Sequence, residues 1–172
     1  MIRIADTATV STLADIEESV KGSLIEIGEG VVIDSFVKIK PAGGNGDITI
    51  GENTVINSGC VVYSGNGVKI GRHCAIAANC TFAATNHDFR DPDRLIVEQG
   101  FLPSKGGITL EDDVWVGANV VLLDGAILRQ GCVVGAGAIV RGELAPYSIN
   151  VGNPLRTTGY RGEAHHKAGA LT

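Results

Sequence analysis

ITLEDDVWVGANVVLLDGAILRQGCVVGAGAIV, Ile108–Val140, is the stretch that decides the fold. An aliphatic residue returns at every sixth place: Leu110, Val116, Leu122, Leu128, Val134 and Val140. Four places after these anchors stand Val114, Val120, Ala126, Cys132 and Ala138, all small or β-branched. A period of six is neither the 3.6 of an amphipathic helix nor the simple alternation of a half-buried strand.

The same rhythm runs outward through most of the chain. Ile4, Val10 and Ile16 form one set of anchors; Ile27, Ile33 and Ile39 a second; Ile50, Ile56 and Val62 a third; Ile70, Ile76 and Phe82 a fourth. Four places on lie Ala8, Ala14, Val20, Val31, Val37, Thr54, Cys60, Cys74 and Cys80. All four cysteines therefore sit at the small position, with no CxxC among them, and read as apolar fillers of the repeat. Ser11–Val20 could pass for a short helix on propensity, but Val10 and Ile16 hold the six-residue phase.

Three large and three small inward residues per 18-residue unit resemble the hexapeptide repeat of the left-handed parallel β-helix, and that resemblance implies three short strands per coil and coils that stack at strand spacing. Each coil then takes its backbone hydrogen bonds from its neighbours. Glycine and asparagine after the anchors suit tight corners with φ > 0. The composition agrees: 44% of the residues are hydrophobic, only 5% aromatic, and 24 are glycine, so the interior must be narrow and aliphatic.

The 172 residues suit one domain. A net charge of −5 argues against nucleic acid as a partner, because phosphate binding needs a basic face. No apolar run reaches the length of a membrane span, and MIRIADTATV lacks a signal-peptide pattern, so a cytoplasmic location is expected.

The rhythm breaks once, after Phe82, and resumes at Ile108. An excursion of that length in a compact domain is usually functional or disordered. This one, 83–107, carries His87 among Asn86, Asp88, Arg90, Asp91 and Arg94, and ends in the apolar LIVEQGFLP. It is expected to be an ordered loop over a cleft, with that end packed.

Two segments carry a resemblance. ATNHDFRDPDR (Ala84–Arg94) and DDVWVGANVVLLDGAILRQGCVVGAGAIVRGELAPYSINVGNPLR (Asp112–Arg156) resemble the hexapeptide-repeat O-acetyltransferases, which include the maltose, galactoside, nodulation-factor, xenobiotic and surface-polysaccharide sugar acetyltransferases. The likeness extends over roughly Ile25 to Arg161. It implies an all-β fold, a left-handed parallel β-helix of about six coils with one long loop excursion. Residues 1–160 would form this single domain and 161–172 a C-terminal tail. It also implies acetyl-CoA as co-substrate without a metal, a carbohydrate acceptor, and a homotrimer with active sites between subunits.

By the same resemblance His87 is the general base. A neutral imidazole can take the proton of an acceptor hydroxyl as its oxygen attacks the thioester. Asn57 matches a family asparagine that contacts acetyl-CoA or the acceptor. Asn86 and Asp88 flank the base and could orient the imidazole, bind sugar hydroxyls or form a turn. Arg90, Asp91, Arg94 and Glu98 could line the acceptor pocket or form a salt-bridged loop. The coenzyme-binding set is Trp115, Ala118, Ala136, Arg141, Pro154 and Arg156. Of these, Trp115 would cover the pantetheine groove or a subunit contact, and Ala118 and Ala136 would touch the coenzyme through their backbone. Arg141, Arg156 and also Arg161 could pair with its phosphates, and Pro154 would shape the turn that places Arg156. The family usually has proline beside its histidine and Thr-Lys where this chain has Arg141-Gly142. Both departures bear on substrate contacts.

Three other readings compete. An N-acyltransferase acting on an amino sugar nucleotide would depend less on a base. A non-catalytic β-helix scaffold gives no reason for the loop with His87. A zinc lyase on the same repeat needs three histidine ligands. His73 reads as a turn residue in the repeat, and His165 and His166 lie in the tail, so only His87 stands in a loop suited to a site.

Overall fold

The structure is a computed structural model and describes residues 1–162. The tail histidines His165 and His166 lie outside the described residues.

Three parallel sheets form the three faces of a prism. The first face stacks Ile2–Ile4, Ile25–Ile27, Ile48–Ile50, Val68–Ile70, Ile108–Leu110, Ile127–Leu128 and Glu143–Leu144. The second stacks Thr9–Val10, Val32–Ile33, Val55–Ile56, Ala75–Ile76, Trp115–Val116, Val133–Val134 and Ser148–Val151. The third stacks Asp15–Ile16, Lys38–Lys40, Val61–Tyr63, Thr81–Ala83, Val121–Leu123 and Ile139–Val140. This is the left-handed parallel β-helix, with six complete coils and part of a seventh.

Register follows the repeat. Ile25, Ile48, Val68 and Ile108 are cross-coil partners, as are Ile33, Ile56, Ile76, Val116 and Val134. Every anchor from Ile27 to Val140 is buried. Phe82 is the one aromatic ring inside. The four cysteines are free and buried at the small positions, where burial pushes the Cys74 thiol up and that of Cys132 to about 12. Thr54, the polar member of that set, donates its hydroxyl to the Gly71 carbonyl at 2.8 Å and accepts from Cys74 N–H at 3.0 Å.

The corners explain the polar punctuation. Between the first and second faces, Gly30, Asn53, His73, Asp113, Gly131 and Tyr147 all take positive φ. Each from Asn53 on donates its N–H to a carbonyl of the coil below. His73 is thus a corner residue, as expected. Between the second and third faces, Phe36, Gly59, Asn79, Asn119 and Gly137 form a like column. A Cβ on Gly59 would lie 2.3 Å from Asn79 Oδ1, so this corner needs glycine for closeness as well as for φ.

The first coil departs from expectation. Ile4 is 44% exposed and Val20 is 97% exposed. Ile4 lacks a coil beneath it. Val20 has left the prism altogether, in a turn that continues into Gly22 at φ 86°. The other end is closed: Arg156–Tyr160 folds back antiparallel on Ser148–Val151 and ends the stack.

Candidate functional site

The excursion leaves the third face after Ala83 and rejoins the first face at Ile108, so it stands on the third corner. It is a folded hairpin. Asp88 N–H donates to Gly100 O at 3.0 Å, and Leu102 N–H to Asn86 O at 2.8 Å. These bonds place His87 opposite Phe101, with ring centroids 4.7 Å apart and planes tilted by 42°. Thr85, at the foot, abuts the Pro41–Asp47 connection so closely that a Cβ on Gly43 would lie 2.6 Å from its methyl.

His87 is exposed, and among the described residues nothing hydrogen-bonds its imidazole. Both ring nitrogens are open to an incoming group. One residue on, Asp88 is gripped by Arg90, whose Nε lies 2.9 Å from Oδ1 and whose Nη2 contacts Oδ2. That guanidinium, helped by the Arg90 N–H, holds the Asp88 carboxyl down at about 2.

Asp88, Arg90, Asp91 and Arg94 line one hollow of ≈ 380 Å³ together with Gln99. Sequence reading overlooked Gln99. Its side chain accepts from Asp91 N–H and donates to the carbonyls of Asp91 and Arg94, at 3.0, 2.9 and 3.0 Å. It binds the two halves of the loop, and no local pattern signals that. Glu98 does not line this hollow; its carbonyl accepts from Arg94 Nη2 at 2.7 Å. The apolar end is not packed as expected. Leu95, Ile96 and Val97 are 67%, 53% and 80% exposed, and the short helix Ile96–Gln99 has no buried residue. Among the described residues they have nothing to cover.

The other candidates lie elsewhere on the prism. Asn57 sits at the second corner and donates Nδ2 to Ile76 O at 2.7 Å. Trp115, 54% exposed, stands on the second face between Ala75 and Val133. Ala118 and Ala136 are at the second corner, where coils touch closely: a Cβ on Gly117 would lie 2.6 Å from Ala136 N. Arg141 and Pro154 line a cavity of ≈ 450 Å³ at the capped end, with Ile139, Leu144, Asn153 and Leu155. Arg156 opens the capping strand beside it. Arg161 is engaged within the chain. Its Nη1 donates to Asp113 Oδ2 at 2.7 Å and to Gly131 O at 3.1 Å, over the Tyr147 ring.

The candidates therefore fall in separate places on one chain: the histidine loop on the third corner, Trp115, Ala118 and Ala136 on the second face and its corner, and Arg141, Pro154 and Arg156 at the capped end. Among the described residues no group of three His, Cys, Asp or Glu could hold a metal ion.

A prism of hexapeptide coils with a single histidine-bearing loop defines a class, the hexapeptide-repeat proteins. The chain belongs to the hexapeptide-repeat transferases of that class. Residues 107–142 match the bacterial transferase hexapeptide family (six repeats), and residues 47–82 match the hexapeptide repeat of succinyl-transferase. The two matches flank the loop. The chain is 30% identical to the galactoside O-acetyltransferase of Escherichia coli over 140 residues, 81% of this chain and 66% of that protein. It resembles a variant of AntD, an N-acyltransferase from Bacillus cereus, in complex with dTDP-4-amino-4,6-dideoxyglucose and coenzyme A. There the TM-score is 0.78 at 25% identity, over 95% of this chain and 86% of that one. A hexapeptide-repeat acetyltransferase of Vibrio cholerae complexed with acetyl coenzyme A gives 0.69 at 26% identity, over 78% and 70%. The chain spans 43%, 53% and 66% of the first three curated relatives.

Proposed function

We propose that the chain is an acetyl-CoA-dependent O-acetyltransferase acting on a hydroxyl of a sugar or polysaccharide precursor, with His87 as general base. The observation that carries this is the imidazole itself. It is presented by a folded hairpin, backed by Phe101, with both nitrogens unengaged. An alcohol needs its proton removed as it attacks a thioester, and a neutral imidazole does this near pH 7. The likeness to the galactoside O-acetyltransferase of Escherichia coli supports the acceptor class.

In this reading residues 1–160 are one catalytic domain, and copies of it associate as a trimer in the cytoplasm. The exposed Leu95–Val97 edge of one copy and the exposed Trp115 face of the next then have partners, and the histidine loop meets the coenzyme-binding residues between subunits. Trp115, Ala118 and Ala136 border the coenzyme, and Arg141, Pro154 and Arg156 its phosphate end. Asn57, Asn86, Asp88, Arg90 and Arg94 border the acceptor. Glu98 contributes at the rim. The coenzyme supplies the activated acetyl group; the chain positions it, excludes water and takes the proton.

A second reading, N-acylation of an amino sugar nucleotide, is favoured by the likeness to AntD over nearly the whole chain. Thiol release from acetyl-CoA, with a panel of sugars and amino sugar nucleotides, separates the two. A hydroxyl acceptor whose turnover drops on the order of 10² to 10⁴ in His87→Ala supports the first reading. An amine acceptor that turns over equally well in the variant supports the second.

A further inference from the structure

We infer that Asp124, together with Asn66, is a positioning residue that clasps both feet of the loop bearing His87. This deepens the general-base reading and rests on it.

Asp124 lies in the connection after Val121–Leu123, on the third corner directly above the excursion, and is 5% exposed. A buried carboxylate is costly unless its oxygens are satisfied. Here they accept three N–H groups: Oδ1 from Gly107 N at 2.8 Å, and Oδ2 from Lys105 N at 2.9 Å and Asn66 Nδ2 at 3.2 Å. Lys105 and Gly107 are the last residues of the excursion. Asn66 donates its own backbone N–H to Ala84 O, at the start of the excursion, at 3.0 Å. One contact between Asn66 and Asp124 therefore joins the entry to the exit. The flanking ladder continues it, with Ile108 N–H donating to Gly67 O at 2.9 Å and Gly125 N–H to Gly107 O at 2.6 Å.

The ladder bonds and the close packing of Ala84 and Thr85 hold the backbone at the feet, and the Asp124–Asn66 contact is the side-chain tie between them. Its helix buries no residue, and its hairpin bonds are internal to it. The loop that carries His87 is thus held to the prism at its feet, where the clasp ties entry to exit, and neither His87 nor any proposed coenzyme contact belongs to the clasp. Asp124→Asn replaces one accepting oxygen with an N–H₂ group that faces N–H donors. It opens the clasp with little change of volume.

The test is amide hydrogen exchange and steady-state kinetics on Asp124→Asn and Asn66→Ala in the full chain. The expected result has two parts. Amides of Asp88, Leu102, Lys105 and Gly107 exchange about tenfold faster, while those of Ala75 and Val121 inside the coils keep wild-type rates. In the same protein kcat falls on the order of tenfold to a hundredfold, with the KM for acetyl-CoA unchanged. The Asn66→Ala effect goes the same way and is smaller; it also serves if Asp124→Asn does not fold. Loop amides with wild-type exchange would overturn the clasp. Loosened loop amides with unchanged kcat would overturn the positioning role. A His87→Ala enzyme of full activity would instead sink the general-base reading, and the exchange rates would still judge the clasp.

Discussion

Phe101 faces His87 across the loop hairpin at a centroid distance of 4.7 Å, so the ring proposed to take the proton rests on an apolar wall and not on a carboxylate. Its orientation is then a matter of packing and of the backbone bonds on either side. Phe101→Ala removes the wall and leaves those bonds. We expect kcat to fall on the order of tenfold, with unfolding temperature unchanged. Wild-type turnover in this variant would show that the aromatic contact does not orient the base.

The Asp88–Arg90 pair makes a prediction in pH. The folded carboxyl is held at about 2, below the ordinary value of about 3.9 for aspartate. A lowered folded value means that the contact is complete above pH ~3.9 and is lost as pH falls toward 2. The pair is solvent-screened, so its effect is local geometry more than global stability. Carboxyl chemical shifts should show Asp88 titrating near 2 in the wild type and returning upward in Arg90→Ala. A wild-type titration already near 3.9 would contradict the bidentate grip.

The core makes a stability prediction. Phe82 is the largest side chain sealed in the prism, at 0% exposure. The coils above and below cannot close over its volume without losing register. Phe82→Ala should cost about 3 to 5 kcal/mol, read from the denaturant midpoint. A loss below 1 kcal/mol would mean that the coil relaxes around the gap.

The uncovered edge of the loop predicts assembly. Val97 is 80% exposed beside Ile96 and Leu95. If these contact a second copy, Val97→Asp puts a charge into that contact. Sedimentation should show a trimer for the wild type and a lighter species for the variant, with activity lost in parallel. A variant of wild-type mass would free this edge from the interface.

The repeat was legible because each inward position is answered by the same position one coil away. Periodicity in sequence becomes stacking in space, as Ile33, Ile56, Ile76 and Val116 show. Exposure of Ile4 was not legible, because its phase is perfect and only a missing neighbour distinguishes it. In the loop, His87 stood out by residue type and place. Gln99 and Asp124 did not. Their work lies in hydrogen bonds to backbone groups, and the Asn66–Asp124 contact spans 58 positions with no repeat to point to it. The apolar stretch 95–97 is expected to be packed and is exposed in one chain, since hydrophobicity alone does not say which molecule will cover it.

The hairpin of Arg156–Tyr160 finishes one end of the prism, while the coil of Ile4, Val10 and Ile16 leaves the other unfinished. Such a stack behaves as a one-dimensional crystal with a single terminated surface. Each coil is held mainly by its neighbours, so the coil of Ile4, which is 44% exposed, should loosen before the sealed middle of the stack.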